Sequence, residues 1–338
     1  MPDRPVVVKL GGDALASPER ILAAARRIRR LAAEGPVVAV ASARRGVTDH
    51  LLDLVRGVRV GTGGSGRPHP EVDRAVATGE VVSAALLALA LDELGIRAVS
   101  LDAREAGVVG AGRFGQAHIR KIETSRILRR LSRGELPVIT GFQGWRRGRV
   151  ATLGRGGTDT SAVALAAALG SPRLVFVKDA EGLRTADPKL VADAQPIPFA
   201  SHAFLSALTA AGAGVVQPDA ARLAESESLP LEFVSLTGER CDTRITRDAP
   251  DHGLRAVATR VTDDTAEITT IATGAAVAHG GGEQIREALR TALVPLIEIQ
   301  PAADGRRYLV PAALAGEATR VIHAVFVLDD PRQIARAS

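Results

Sequence analysis

The sequence predicts an α/β fold: a mostly parallel sheet covered by helices on both faces, followed by a second, smaller α+β unit. Three observations carry this. Short β-branched runs alternate with alanine- and leucine-rich stretches through the first half of the chain. The runs are continuously apolar rather than alternating, as strands buried on both faces are. Beyond residue 253 the order changes to ββαββα, the pattern of a small sandwich with its helices on one face. In parallel sheets of this kind the chemistry sits at the carboxyl ends of the strands.

Val6 to Leu10 reads as the first buried strand and Pro18 to Ala33 as a helix, with Ser17 as its N-cap. Val37 to Ala41 is a second strand that ends in SARRGVTD, and a helix spans Asp49 to Val55. The glycine- and proline-rich stretch 57–70 is a loop. Helix then runs from Pro70 to Leu94, strand from Ala98 to Leu101, and HIRKIETSRIL around Lys121 reads as helical. Strands at Leu136 to Thr140 and Leu174 to Val177 bracket a helix at Thr160 to Leu169. A helical region from Ser201 to Ala224 precedes the strand Leu231 to Ser235.

The polar stretch 237–253, with Pro250 and Gly253, marks the boundary. The predicted division is 1–240 for the first domain, 241–253 for a linker, 254–330 for the second domain and 331–338 for a tail. In the second domain, strands Arg255 to Arg260 and Glu267 to Ala272 lead to a helix at Glu283 to Leu293. Strands Leu296 to Gln300 and Arg307 to Val310 and a helix at Ala312 to Ala324 complete it.

Composition narrows the function. With 46% hydrophobic residues the chain is too apolar for a disordered protein. No apolar run of the length needed to cross a membrane is free of charge. The start, MPDRPVVVKLGG, goes straight into a strand and lacks the features of a signal peptide. Cys241 alone forms neither an internal disulfide nor a multi-cysteine metal site, which points to a reducing cytoplasm. Aromatics at 3% and dispersed basic charge argue against a nucleic-acid surface. Of the 43 basic residues only Lys9, Lys121, Lys178 and Lys189 are lysine. A lysine kept against an arginine background marks a place that needs a compact, point-like ammonium.

Four segments carry candidate chemistry. VVVKLGG (6–12) brings Lys9 and the unhindered amides of Gly11 and Gly12 to a strand end, where backbone N–H groups can approach phosphate oxygens. A plain turn would use the same glycines, and no Walker A pattern is present. TLGRGGTDTSAVALAAALG (152–170) opens a helix with Gly154, Gly156 and Gly157, an anion site by its free N–H groups and dipole. Asp159 there doubles as a helix cap, whereas Arg155 among the glycines suits bidentate recognition of carboxylate or phosphate. FVKDAEGLRTADPKL (176–190) could be an ordinary Asx-turn loop, yet it holds two of the four lysines. Glu80 begins an otherwise apolar helix, either complementing its dipole or anchoring an ammonium group.

Together these segments resemble the aspartate kinases of the amino acid kinase family. The match runs in order through VVVKLGGDAL, SARRGVTD, ATGEVVSAALLALAL, PVITGFQG, TLGRGGTDTSAVALAAALG, VKDAEGLRTADPK and AAGAGVVQP. The tail from 254 to 330 is similar to an ACT domain. The resemblance implies a three-layer αβα catalytic domain that moves the γ-phosphoryl group of ATP, with Mg²⁺ on its phosphates, to the side-chain carboxylate of L-aspartate. By it, Lys9 and Asp159 are catalytic, and Ser42, Thr48, Glu80, Phe142, Arg155 and Thr158 form the amino acid pocket. Lys9, Gly11, Gly12, Gly156, Gly157, Lys178, Asp179, Arg184 and Lys189 face the nucleotide. No metal is held by protein side chains, and neither nucleic acid nor membrane is a partner. A cytoplasmic homodimer through a single ACT-like domain, weakly sensitive or insensitive to lysine and threonine, completes the expectation.

Departures from the pattern keep two alternatives open: another amino or aryl acid as acceptor, or a non-catalytic regulatory homologue. Leu10, Asp13 and Ala14 replace the phenylalanine and two hydroxyl residues usual after the first lysine. Arg44 and Arg45 stand where Met-Gly is common, and Asp13 beside a phosphate site needs one of them, or a metal, to offset it. Gly214 replaces a family lysine, a loss that Lys178 would partly make good.

Overall fold

The computed structural model describes residues 4–59, 68–178, 182–238, 241–249, 253–273, 282–303 and 305–328. Asp179 and most of the predicted glycine-rich loop lie outside them. The chain forms two compact units, Met1–Glu181 with Leu229–Cys241 and Gly182–Ser228 with Asp242–Ser338.

In the first unit a parallel sheet runs in the order Leu231–Ser235, Leu174–Lys178, Val6–Leu10, Val37–Ala41, Leu136–Thr140, Ala98–Leu101. Its two faces are read off alternate residues. Val8, Leu10, Ala39, Ala41, Val138, Val175 and Val177 share a core with Ile21, Ala24 and Ile28 of helix Pro18–Ala32 and Ala84, Leu87 and Leu91 of helix Thr78–Asp92. Val7, Lys9, Val38, Val40, Ile139 and Phe176 point the other way and are equally covered. Helix Gly157–Leu169 buries residues around its circumference, including Thr158, Asp159, Ala162 and Val163. Sequence pattern and structure agree because continuous apolar strands have no solvent face to give them away.

Helix starts are set by local chemistry. Ser17 accepts the Arg20 N–H at 3.4 Å, with Pro18 at the first helical position. The expected helix Pro70–Leu94 is divided at Ala77 into Pro70–Val76 and Thr78–Asp92. By length and composition this stretch could cross a membrane, but half of its apolar window is buried in the fold.

One region overturns the expectation. HIRKIETSRIL is not helical up to Ile122: strand Gln116–Ile122 pairs antiparallel with Val108–Arg113, and Lys121 sits on it. Strands Gln143–Arg146 and Arg149–Thr152 complete a second, small sheet. The cross-strand pairing overrides a weak helical propensity. Gly110 and Gly144 let two of these strands meet closely, since a Cβ on Gly110 would lie 3.3 Å from the Gly144 backbone.

In the second unit, strands Arg255–Val261, Thr265–Ala272, Gly305–Pro311 and Glu298–Ala302 form an antiparallel sheet in that order. Ile268, Tyr308 and Val310 pack with Ile285 and Leu289 of helix Gly282–Thr291 and with Val321 and Ile322 of helix Ala315–Phe326. The ββαββα order is as expected. Residues 182–228 group with this unit rather than with the first, because their hydrogen bonds go there. Thr185 Oγ1 lies 2.8 Å from His323 Nε2, and the Val257 N–H donates to the Thr185 carbonyl at 2.7 Å. The Arg260 guanidinium donates to the Ala210 carbonyl at 2.6 Å. The predicted helical region 201–224 is two helices, His202–Ala210 and Pro218–Ser226.

Candidate active site

Lys9 is the penultimate residue of its strand and shares a face with Val7, so its side chain runs along the sheet toward helix Gly157–Leu169. Its Nζ lies 2.7 Å from Asp159 Oδ1, with both side chains less than a tenth exposed. Burying two charges is costly, and here each charge is offset by the other. Asp159 is placed by the helix start: Gly154 and Gly156 adopt positive φ of 78° and 73°, and the Asp159 N–H donates to the Gly156 carbonyl at 3.0 Å. Gly154 and Gly156 thus have a conformational reason to be glycine.

The turn after Lys9 lies against the turn after Val37–Ala41. The Gly12 carbonyl accepts the Arg45 N–H at 3.1 Å, and a Cβ on Gly12 would fall 2.7 Å from the Ala43 carbonyl oxygen. Gly11 faces Lys9, whose Nζ would be 3.6 Å from a Cβ there. Ser42 is half-buried, and its N–H donates to the Leu10 carbonyl at 3.1 Å. Asp13, the residue expected to need an offset, has one: Arg45 Nε lies 2.9 Å from its Oδ1.

Glu80 is 3% exposed. Its Oε1 accepts the Ala43 N–H at 3.0 Å, while Oε2 has no hydrogen-bond partner among the described residues. Burial pushes its pKa up to about 7, against the Ala43 N–H, which pulls it down. A buried carboxyl with one orphaned oxygen is an incomplete site, ready for a donor. Gly79 fits under Ala43 and Val47, with a Cβ there 2.9 Å from the Ala43 Cβ. Thr48 follows at the start of helix Val47–Val58.

Phe142 and Thr158 lie beyond the carboxyl end of strand Leu136–Thr140, each packed against a glycine next to the other. Phe142 holds φ 67°, fixed by its N–H to Ser161 Oγ at 3.1 Å and by its carbonyl, which accepts the Leu153 N–H at 2.9 Å. A Cβ on Gly141 would lie 2.4 Å from Thr158 Cγ2, and one on Gly157 would lie 3.0 Å from Phe142 Cδ2. Arg155 is exposed between two glycines. Within the first unit, then, Lys9, Gly11, Gly12, Ser42, Glu80, Phe142, Gly156, Gly157, Thr158 and Asp159 gather where strands Val6–Leu10, Val37–Ala41 and Leu136–Thr140 end.

Lys178 closes strand Leu174–Lys178, one residue past the Leu10–Val177 register pair and hence beside Gly11. Its Nζ is 5.9 Å from the Phe176 ring centroid. Arg184 and Lys189 belong to the second unit. Arg184 donates to the Ala194 carbonyl at 2.9 Å, and Lys189 is exposed. Sequence reading passed over Asp73, which is 2% exposed and holds two backbone N–H groups. Its signal was an acidic residue on the buried side of a short helix, which looks the same as helix-start decoration.

Residues 4–235 match the amino acid kinase family. The chain is 39% identical over 232 residues to an aspartokinase of Bacillus sp. (strain MGA3), covering 68% of this chain and 55% of that protein. It is 35% identical over 291 residues to the aspartokinase of Corynebacterium efficiens, covering 85% and 68%. The chain thus spans little more than half the length of the Bacillus relative. In fold it is similar to E. coli aspartokinase III in complex with aspartate and ADP, with a TM-score of 0.81, 20% identity and 96% of this chain covered, against 100% of that one. From its match over residues 4–235 and its alignment with these relatives, the chain belongs to the amino acid kinase family and groups there with the aspartokinases.

Proposed function

We propose that this chain is an ATP-dependent kinase that phosphorylates the side-chain carboxylate of L-aspartate, giving 4-phospho-L-aspartate. The observation that carries the reading is the buried Lys9–Asp159 pair at 2.7 Å, set at a strand end between two glycine-rich turns. Phosphoryl transfer asks little covalent chemistry of a protein; it asks for alignment and for charge to be offset where it develops. Lys9 supplies a fixed cation, with the Gly11 and Gly12 amides beside it, and Asp159 holds that cation in place. Arg155 pairs with the acceptor's α-carboxylate and Glu80 Oε2 receives its α-ammonium. Ser42, Thr48, Phe142 and Thr158 shape the space between. The name of the E. coli protein's complex, with aspartate and ADP, agrees with both ligands.

On the nucleotide side of the first unit, Lys178 and the Gly156 and Gly157 amides would face the ATP phosphates. Mg²⁺ would arrive on the ATP phosphates rather than in a cage of protein side chains. When bound, that ion neutralises phosphate charge and polarises the transferred group. A cytoplasmic setting, a role in lysine biosynthesis and a homodimer formed through an ACT-like C-terminal domain extend the same reading. The ββαββα order of that domain supports the last of these.

The Asp13–Arg45 pair favours a second acceptor class. It places an ion pair at the turn where the resemblance leads one to expect hydroxyl groups, and an altered acceptor would explain it. The non-catalytic alternative has the Lys9–Asp159 pair against it. A hydroxylamine trap with ATP, Mg²⁺ and a panel of amino and aryl acids separates these readings. Hydroxamate from aspartate alone is the expected result. Product from another acid would move the function to the second class, and none from any acid would end the kinase reading.

A further inference from the structure

Asp73 is a carboxylate where a carboxylate is expensive. It lies on helix Pro70–Val76 with only 2% exposure, and no cation in the described residues pairs with it. One oxygen, Oδ2, accepts two backbone N–H groups that come from distant parts of the chain. Gly115 donates at 2.9 Å and Thr152 at 2.6 Å. Burial pushes its pKa up, while these two donors and the Thr152 side chain pull it down. A buried charge kept under such conditions is held for what it joins.

What it joins are the supports of the amino acid pocket. Gly115 is the tip of the hairpin between Val108–Arg113 and Gln116–Ile122, and its carbonyl would lie 3.4 Å from a Cβ on Gly154. Thr152 ends the strand Arg149–Thr152, three residues before Arg155. Asp73 itself stands seven residues before Glu80, on the helix that leads into Glu80's own. The junction between those helices is tied again by Gln143, whose Nε2 donates to the Ala77 carbonyl at 3.1 Å.

We propose that Asp73 is a positioning residue that sets the separation between Glu80 and Arg155, and so the length of amino acid the pocket accepts. It does this by clamping the hairpin tip and the glycine-rich turn to the helix that carries Glu80. The inference rests on the kinase reading for its catalytic consequence, but the clamp itself is a matter of structure. Asp73 touches neither reactant; it acts through the two poles that would.

Two variants read it out. Asp73→Ala removes the oxygen that accepts both N–H groups, whereas Asp73→Asn keeps a carbonyl oxygen that can take both. Misplaced substrate anchors cost rate and affinity steeply, so Asp73→Ala is expected to raise the acceptor KM about tenfold or more with the ATP KM within about twofold. Asp73→Asn is expected to stay within about threefold of the parent. By amide hydrogen exchange, the Gly115 and Thr152 amides should lose protection in Asp73→Ala and keep it in Asp73→Asn. Should Asp73→Ala not fold, Asp73→Ser, with a hydroxyl too short to bridge, takes its place. An unchanged acceptor KM together with unchanged exchange at both amides overturns the proposal, as does an Asn variant damaged as badly as Ala. If the parent chain transfers no phosphoryl group to any acid, the kinase reading fails by itself, and exchange at the two amides decides the clamp.

Discussion

Glu80 shows what a single residue does for the whole site. Its side chain is buried with one oxygen bound to the Ala43 N–H and the other without a partner. Protonation relieves this, which is why its pKa rises to about 7 from 4.5. A folded-state pKa above the unfolded one gives stability that is fully present below about 4.5 and is lost as pH rises through about 7. The loss is on the order of 3 kcal/mol, taking 1.36 kcal/mol per unit. Glu80→Gln should therefore match the parent in unfolding free energy near pH 4.5 and exceed it by up to that amount at pH 8. Equal pH dependence in the two proteins, measured by urea titration, would show that Glu80 is hydrated after all. The same variant should lose amino acid binding, since a neutral amide cannot balance an ammonium group. Stability surrendered by a buried carboxyl is a common signature of a binding residue. Glu80 was legible in the sequence as an acid in an apolar helix, but its orphaned oxygen was not, because that depends on the Ala43 turn arriving from another strand.

At the scale of elements, close approach of backbones explains the glycines better than phosphate chemistry alone. Gly12 sits where a Cβ would be 2.7 Å from the Ala43 carbonyl oxygen, a rigid backbone atom that cannot step aside. Gly12→Ala should therefore push the two turns apart, costing about 1–3 kcal/mol as overpacked sites do. Because Ala43 also holds Glu80, both nucleotide and amino acid KM should rise in this variant. A change in the nucleotide KM alone would mean that the turns move independently. The parallel strands were legible because each is a short, continuous apolar run. The small antiparallel sheet was not, since VVGAGRFGQAHIRKI mixes glycine, charge and isolated β-branched residues without clean alternation. Its strands exist through pairing with one another, and pairing partners distant in sequence leave no local period to read. That is also why Asp73, which ties this sheet to the pocket, drew no attention.

For the whole molecule, the scarcity of lysine becomes a measuring device. With only four lysines in 338 residues, acylation of lysine side chains reports on four identifiable places, while the arginines stay silent. Lys121, exposed on its strand, and Lys189, exposed in the second unit, should react first in the free protein. Lys178 is half-buried at the end of its strand and should react more slowly. Lys9 should be slowest, because its amine is buried and paired with Asp159 at 2.7 Å. It must leave that partner and lose its proton before it can attack. MgATP shields what it covers. Peptide mass spectrometry should show slower acylation at Lys178 when MgATP is present, with Lys121 unchanged as the internal control. A Lys178 rate indifferent to MgATP would remove that residue from the nucleotide site, and with it the idea that it compensates for the lysine missing at Gly214. A fast Lys9 in the free protein would be more damaging, since the proposed phosphoryl transfer rests on that buried cation.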